Sequence, residues 1–350
     1  MKITVGICTW NRAVLLDVTL SSLACVEVPA DVEWKVVVID NNSTDDTASV
    51  VDKYRDRLPI SRLFVRQQGK ANAQNAMVER LTGDLVLWTD DDVLFDRGWL
   101  TAYADAARQN PDIDFFGGPI TPRFLAPQPR WVRDGWREVA SIFGERQLGD
   151  QPFYFERRTL PYGANFGARV ELQKRFAFDP SLGRRGELLL TGEETDAMRQ
   201  WLQSGYRGIW VPQAGIEHMV TGDMTTLRYL GRRSLTCGKS QKPQGRHAWL
   251  PVRTFAALWH GCRACKYQLA LSRTSAKHQT AKWVRSLIKS RRCWGRVGAQ
   301  CSGLLKYVCP PIVRRLQRQQ EHPRVTTAIH ILPLVQRPPK RRPAVSKQAA

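Results

Sequence analysis

Acidic residues almost vanish from the last third of this 350-residue chain: from Thr225 onward, 27 lysines and arginines stand against one acid, Glu321. Residues 1–224 hold the other 26 bases and 31 acids, so a mildly acidic body precedes a strongly basic region in a chain of net charge +21. Such asymmetry points to a polyanionic partner, either nucleic acid or an anionic membrane surface. Long apolar runs are also missing. No stretch approaches the roughly 18 apolar residues of a spanning helix. The start, Met1-Lys2-Ile3-Thr4-Val5-Gly6-Ile7, enters a strand pattern directly, without a basic segment followed by an apolar one. A cytoplasmic protein, held peripherally at the inner face of a membrane, is therefore expected. Cysteine is sparse, irregularly spaced and mostly late, which argues for reduced thiols over a disulfide framework.

What is present begins with Leu85-Val86-Leu87-Trp88-Thr89-Asp90-Asp91-Asp92-Val93, an apolar run that stops on three carboxylates. The run reads as a buried strand, and three adjacent carboxylates at its end call for a cation. Mg2+ or Mn2+ suits such hard oxygen ligands and keeps positions for water and substrate phosphates. Upstream, Ile3–Cys8 and Trp34–Ile39 read as strands and Arg62–Val65 as a shorter one, with helices between them. Ser43 or Thr44 is placed to cap the second helix, with Asp45 and Asp46 in its first turn. Alternating strands and helices at this cadence predict right-handed crossovers and a mostly parallel sheet covered on both faces. The polar clusters Thr9–Arg12, Asp40–Thr44 and Asp90–Asp92 then meet at the carboxyl ends of the strands, where open sheets bind ligands.

Val5-Gly6-Ile7-Cys8-Thr9-Trp10-Asn11-Arg12, Val38-Ile39-Asp40-Asn41-Asn42-Ser43-Thr44-Asp45 and Leu87-Trp88-Thr89-Asp90-Asp91-Asp92 resemble, in this order and spacing, family 2 glycosyltransferases of the GT-A fold. The resemblance covers about residues 3–220. It implies an α/β, GT-A-like sheet flanked by helices, and inverting transfer of a sugar from a nucleotide-sugar donor. It also implies a divalent cation, Mg2+ or Mn2+, at an Asp-x-Asp motif. By position, Thr9, Asn11, Arg12 and Asp40 line the nucleoside pocket, Asp90 and Asp91 meet the donor, and Asp90 and Asp92 hold the metal. Gln74 stands where relatives carry Arg; Lys70 either supplies that positive charge or is a solvated lysine at a helix start. Pro161–Ala168 resembles the strand beside donor and acceptor, with Gly163 allowing close backbone approach and Asn165 bonding a hydroxyl. In Thr191-Gly192-Glu193-Glu194-Thr195-Asp196, before a helix at Met198–Leu202, Glu194 takes the place of the family's general base. Glu193 is an acceptor-side contact, and Glu193 and Asp196 remain alternatives for the base. His218 either completes the metal and diphosphate site or is structural.

Between these motifs, residues 122–160 are irregular and aromatic, suited either to stacking on a sugar or to anchoring a long loop. Beyond Thr225 the resemblance fades. Leu227–Leu235, Phe255–Leu271 and Trp283–Ile288 combine apolar and basic positions as helices lying on an anionic bilayer do. Nucleic acid is the less favoured partner, since the region has charge without a recognisable motif. His260, Cys262 and Cys265, with distant Cys293, read either as a zinc site or as free thiols. The expected division is a catalytic domain at 1–224, a basic amphipathic helical region at 225–320 and a disordered tail at 321–350. The expected activity is sugar transfer to a saccharide acceptor, lipid-linked, in surface polysaccharide or glycan synthesis. Its alternatives are a catalytically silent sugar-nucleotide scaffold and a metal-dependent nucleic-acid enzyme.

Overall fold

The structure, a computed structural model, describes residues 1–186, 189–240, 250–272 and 281–308. These fall within one unit, Met1–Val308, and the tail expected at 321–350 lies outside the described residues. The first half alternates as its periodicity predicts: β1 (Lys2–Thr9), α1 (Ala13–Leu23), β2 (Glu33–Asp40), α2 (Thr47–Lys53), β3 (Ile60–Phe64), α3 (Lys70–Val78) and β4 (Leu85–Asp90). There follow β5 (Val93–Phe95), α4 (Trp99–Gln109), β6 (Phe115–Gly117), β7 (Ile120–Phe124) and the short α5 (Arg130–Asp134) and α6 (Trp136–Val139). The chain continues through β8 (Asn165–Arg169), α7 (Val170–Arg175), α8 (Glu193–Gln203), β9 (Gly208–Trp210) and β10 (Ile216–Val220). Three helices close it: α9 (Leu227–Lys239), α10 (Leu250–Ser272) and α11 (Ala281–Val308).

Seven strands form the main sheet in the order β3-β2-β1-β4-β8-β6-β9, and β8 alone runs against its neighbours. A smaller sheet joins β5, β10 and β7. Alternation along β4 divides the core: Leu85 and Leu87 face α1 and α4, whereas Val86 and Trp88 face α3 and α8. Burial on both faces explains why β4 reads as a continuous apolar run. Gly6 admits α3 to the sheet, because a Cβ there would lie 2.9 Å from both Met77 and Trp88.

From β1 the chain builds outward through β2 and β3, then returns to lay β4 on the other side, which places the switch in strand order at β1 and β4. The register aligns Thr9 with Asp40 and Cys8 with Asp90, so three polar strand ends share one edge. Crevices at such switch points are where open parallel sheets take ligands.

A third core gathers Trp131, Val139, Phe143, Leu230, Val284 and Ile288, joining α5 and α6 to α9 and α11. The aromatic loop is therefore largely an anchor: Trp131, Phe143 and Phe155 are buried, and exposed Tyr154 is covered by the Arg207 guanidinium, 4.5 Å from its ring centre. Among the described residues no helix is long and apolar enough to cross a membrane.

Candidate active site

At the edge, two loops are stitched by short side chains. Asn11 and Asn42 take left-handed backbone angles, φ 51° and 67°, which asparagine tolerates because its side chain bonds locally. The Asn11 side-chain oxygen accepts from the Thr44 amide (2.7 Å), and the Asn11 amide donates to Ser43 Oγ (3.0 Å). Asp40, buried, accepts from the Ser43 amide (2.8 Å) and from Arg62 (2.9 Å). The capping expected of Ser43 or Thr44 falls to Asp45, whose carboxylate accepts from the amides of Thr47 (3.2 Å) and Ala13 (2.8 Å). One carboxylate thus serves the first turns of both α1 and α2, and Asp45 and Asp46 precede the helix they were expected to begin.

The triplet divides its tasks. Asp91 is 3 % exposed, and its carboxylate accepts from Thr9 Oγ1 (2.7 Å) and from Arg12. Thr19 of α1 fixes the same turn by donating to the Asp91 carbonyl (2.9 Å) and accepting from the Val93 amide (3.1 Å). Thr9 and Arg12 therefore brace the strand end through Asp91. Arg12 also donates to Asp92 (2.6 Å), and Lys70 to Asp90 (2.7 Å). The cations demanded by three adjacent carboxylates are thus partly supplied by the chain itself. Burial opposes ionisation of Asp92, but Arg12 and His218 outweigh it and hold this carboxyl well below the usual range.

The residues fit a hard divalent cation through one feature. Asp92 Oδ1 is buried and has no hydrogen-bond partner among the described residues, a costly state for an ionised carboxylate. His218 donates its Nδ1–H to the Phe143 carbonyl (2.9 Å) and turns Nε2 to Asp92 (3.4 Å), so each ring nitrogen faces an acceptor oxygen. Burial works against charging this ring, yet Asp92 raises its pKa overall. Among the described residues no group of three or more His, Cys, Asp or Glu is placed to hold a metal ion by itself. Two carboxylates with open positions suit an ion whose other ligands are water and phosphate.

Lys70 joins the two halves of the site. Its ammonium, largely buried at the start of α3, lies 2.7 Å from Asp90 and 2.8 Å from Glu194. The solvated reading of Lys70 is excluded; burial would lower its pKa, and the facing Asp90, Glu194 and Glu193 raise it well above the ordinary value. Buried Gln74 reaches Glu194 at 3.4 Å. α8 begins at Glu193, earlier than the Met198 expected, so Glu193 and Glu194 sit in its first turn behind left-handed Gly192 (φ 108°). Gly163 makes room for the base candidate, since a Cβ there would fall 2.5 Å from the Glu194 carboxylate. Burial and the neighbouring Glu194 push Glu193 up to about 8, so at neutral pH it keeps its proton. Asp196 Oδ2 accepts from Gln200 (3.0 Å), one turn along α8. Arg184, before α8, adds positive charge near Asp90 and Asp92, and no sequence motif marked it.

Asn165 is a correction. It is fully buried, its oxygen accepts from Trp99 and Tyr103 (2.9 Å each), and its amide donates to the carbonyls of Pro119 (3.0 Å) and Ala214 (2.7 Å). Every lone pair and hydrogen is in use, leaving none for a substrate hydroxyl. Cys262 and Cys265 are exposed on α10, Cys293 is buried on α11, and each is a free thiol.

The profile of glycosyl transferase family 2 matches residues 4–162, the segment that contains β1 through β4 and the triplet. That match, a little under half of the chain, is a glycosyl transferase family 2 domain. It is similar to the succinoglycan biosynthesis protein ExoM of Rhizobium meliloti, 28 % identical over 261 residues covering 71 % of this chain and 79 % of the relative. It is also similar to the glucosyl-dolichyl phosphate glucuronosyltransferase of Haloferax volcanii, 26 % identical over 69 % of this chain and 77 % of the relative. Among solved structures, mannosyltransferase PcManGT of Pyrobaculum calidifontis, in complex with GDP-Man and Mn2+, matches at 18 % identity and TM-score 0.48, covering 91 % of this chain and 79 % of that one.

Proposed function

We propose that this chain is a family 2 glycosyltransferase that carries out an inverting, metal-dependent transfer of a sugar from a nucleoside-diphosphate donor to a saccharide hydroxyl, in polysaccharide or glycan synthesis. The observation that carries the reading is the double reach of Lys70, which sets the Asp-x-Asp carboxylate Asp90 and the acid Glu194 within one ammonium's span. Donor-side and acceptor-side chemistry thereby share one crevice. Asp90 and Asp92, with His218, would hold Mg2+ or Mn2+, which when bound offsets the charge that develops on the leaving diphosphate. Asn11 and Asp40, at the ends of β1 and β2, border the space for the nucleoside, while Arg12 and Thr9 keep the triplet in place. Lys70 and Arg184 add positive charge facing the diphosphate.

Glu194 accepts the proton of the acceptor hydroxyl as that oxygen attacks the anomeric carbon opposite the leaving group. Glu193 lies beside it, its carboxyl held neutral by burial. The similarity to a dolichyl phosphate glucuronosyltransferase and the acid-free helices after Asp223 support a lipid-linked acceptor at an anionic membrane surface. Glu194→Gln tests the assignment. Turnover is expected to fall roughly 10²- to 10⁴-fold, the usual loss of a general base, with donor affinity retained. Native turnover in Glu194→Gln would remove Glu194 from the role.

A further inference from the structure

α10 turns its small and polar side inward and its apolar side outward. Ala264 is buried against α11, where Ser290 Oγ donates to the Ala264 carbonyl (3.4 Å) and to Gln268 Oε1 (3.2 Å). On the opposite face Phe255, Leu258, Trp259 and Leu269 are 70, 69, 56 and 58 % exposed. Their spacing keeps them on one stripe of a 3.6-residue helix. α11 does the reverse, burying Val284 and Ile288 in the core it shares with α5, α6 and α9. Of the two long basic helices, α10 is therefore the one with an open apolar face among the described residues. Single exposed apolar residues are ordinary, whereas four on one stripe mark a contact surface.

Charge selects the occupant. Arg263 and Lys266 are exposed on α10, Lys289 is exposed on α11, and no acid occurs between Asp223 and Glu321. A second copy meeting this face with its own would oppose cation to cation. A bilayer with anionic headgroups supplies the opposite charge above an apolar interior, and Trp and Phe favour that boundary.

We propose that α10 lies in the plane of an anionic bilayer surface. Phe255, Leu258, Trp259 and Leu269 enter the boundary between headgroups and acyl chains, and the flanking cations meet lipid phosphates. The inference deepens the lipid-linked acceptor reading and rests on it for its purpose, but its test requires no sugar transfer.

The full chain is floated with vesicles of phosphatidylcholine, with and without phosphatidylglycerol. The native protein is expected to float only with phosphatidylglycerol, less so at high salt. The combined Phe255→Ser, Leu258→Ser and Trp259→Ser variant is expected to partition about tenfold or more weakly, with an unchanged melting temperature because these side chains are exposed. Arg263→Gln with Lys266→Gln is expected to weaken binding only at low salt. A triple variant that floats like the native chain would overturn the proposal and assign binding to charge alone. So would a native chain that ignores phosphatidylglycerol, or a triple variant that changes only self-association in sedimentation, which would make the occupant a second copy. Thermal shift by nucleotide sugars is measured without vesicles. A chain that floats but shows no such shift upholds this inference while removing the donor reading.

Discussion

Asn165 shows how a single polar residue can be misplaced by pattern alone. Its position beside the glycines of Pro161–Ala168 suggests a substrate contact, yet it joins α4 to the segments after β6 and β9. Asn165→Leu keeps the volume and leaves the Trp99 and Tyr103 donors and the Ala214 carbonyl without the bonds Asn165 supplies, while the Pro119 carbonyl still accepts from the Ile216 amide (3.1 Å). Each such group costs about 1–3 kcal/mol, so denaturant titration is expected to show a loss of about 3 kcal/mol or more. Donor affinity measured on the folded fraction is expected to be unchanged. Lys70 is the opposite case. Its importance was not legible locally, because a lysine at a helix start is ordinary until the fold brings Asp90 and Glu194 to the same ammonium from far along the chain. Asp90, Asp92 and Glu194 were more legible, since a carboxylate at the end of an apolar strand or the start of a helix carries its context with it.

At the scale of elements, β1, β2 and β4 followed from period and punctuation because their burial on both faces writes largely continuous apolar runs, whereas the exposed edge strand β3 was read only as a short strand. β5 and the turn from β4 to β5 did not follow. They span three residues or fewer, and partners distant in sequence, such as Thr19 for the Asp91 turn, fix them. The start of α8 has a pH signature. The raised pKa of Glu193, about 8, means that the folded chain holds a proton the unfolded chain has released above the ordinary carboxyl value. This contribution to stability is complete below that ordinary value and is lost as pH rises through about 8. A melting-temperature series across this range is expected to decline for the native chain and to be flatter for Glu193→Gln, which keeps a neutral donor. Parallel profiles for the two would contradict a protonated Glu193.

For the whole molecule, the charge asymmetry that separates residues 1–224 from the basic region is plain in the sequence, but charge does not mark where packing stops. Val284 and Ile288 of α11 share a core with Trp131 and Phe143 of the body, and Arg285 pairs with Glu138. Only three-dimensional packing separates the inward apolar face of α11 from the outward face of α10. Ile288→Ala is expected to destabilise the chain by about 2–4 kcal/mol in one cooperative unfolding transition. Two separated transitions would indicate helices that unfold apart from the body.

The central claim is that Asp92 and its neighbours form the donor's metal and diphosphate site. It is tested most directly by thermal shift of the full chain with a panel of nucleotide sugars, with and without Mn2+, beside Asp92→Ala. Ligand bound to the folded state alone raises the melting temperature by mass action. The account predicts a Mn2+-dependent rise for one or two donors, absent in Asp92→Ala. A rise that survives Asp92→Ala, or no rise with any donor in the native chain, would contradict it.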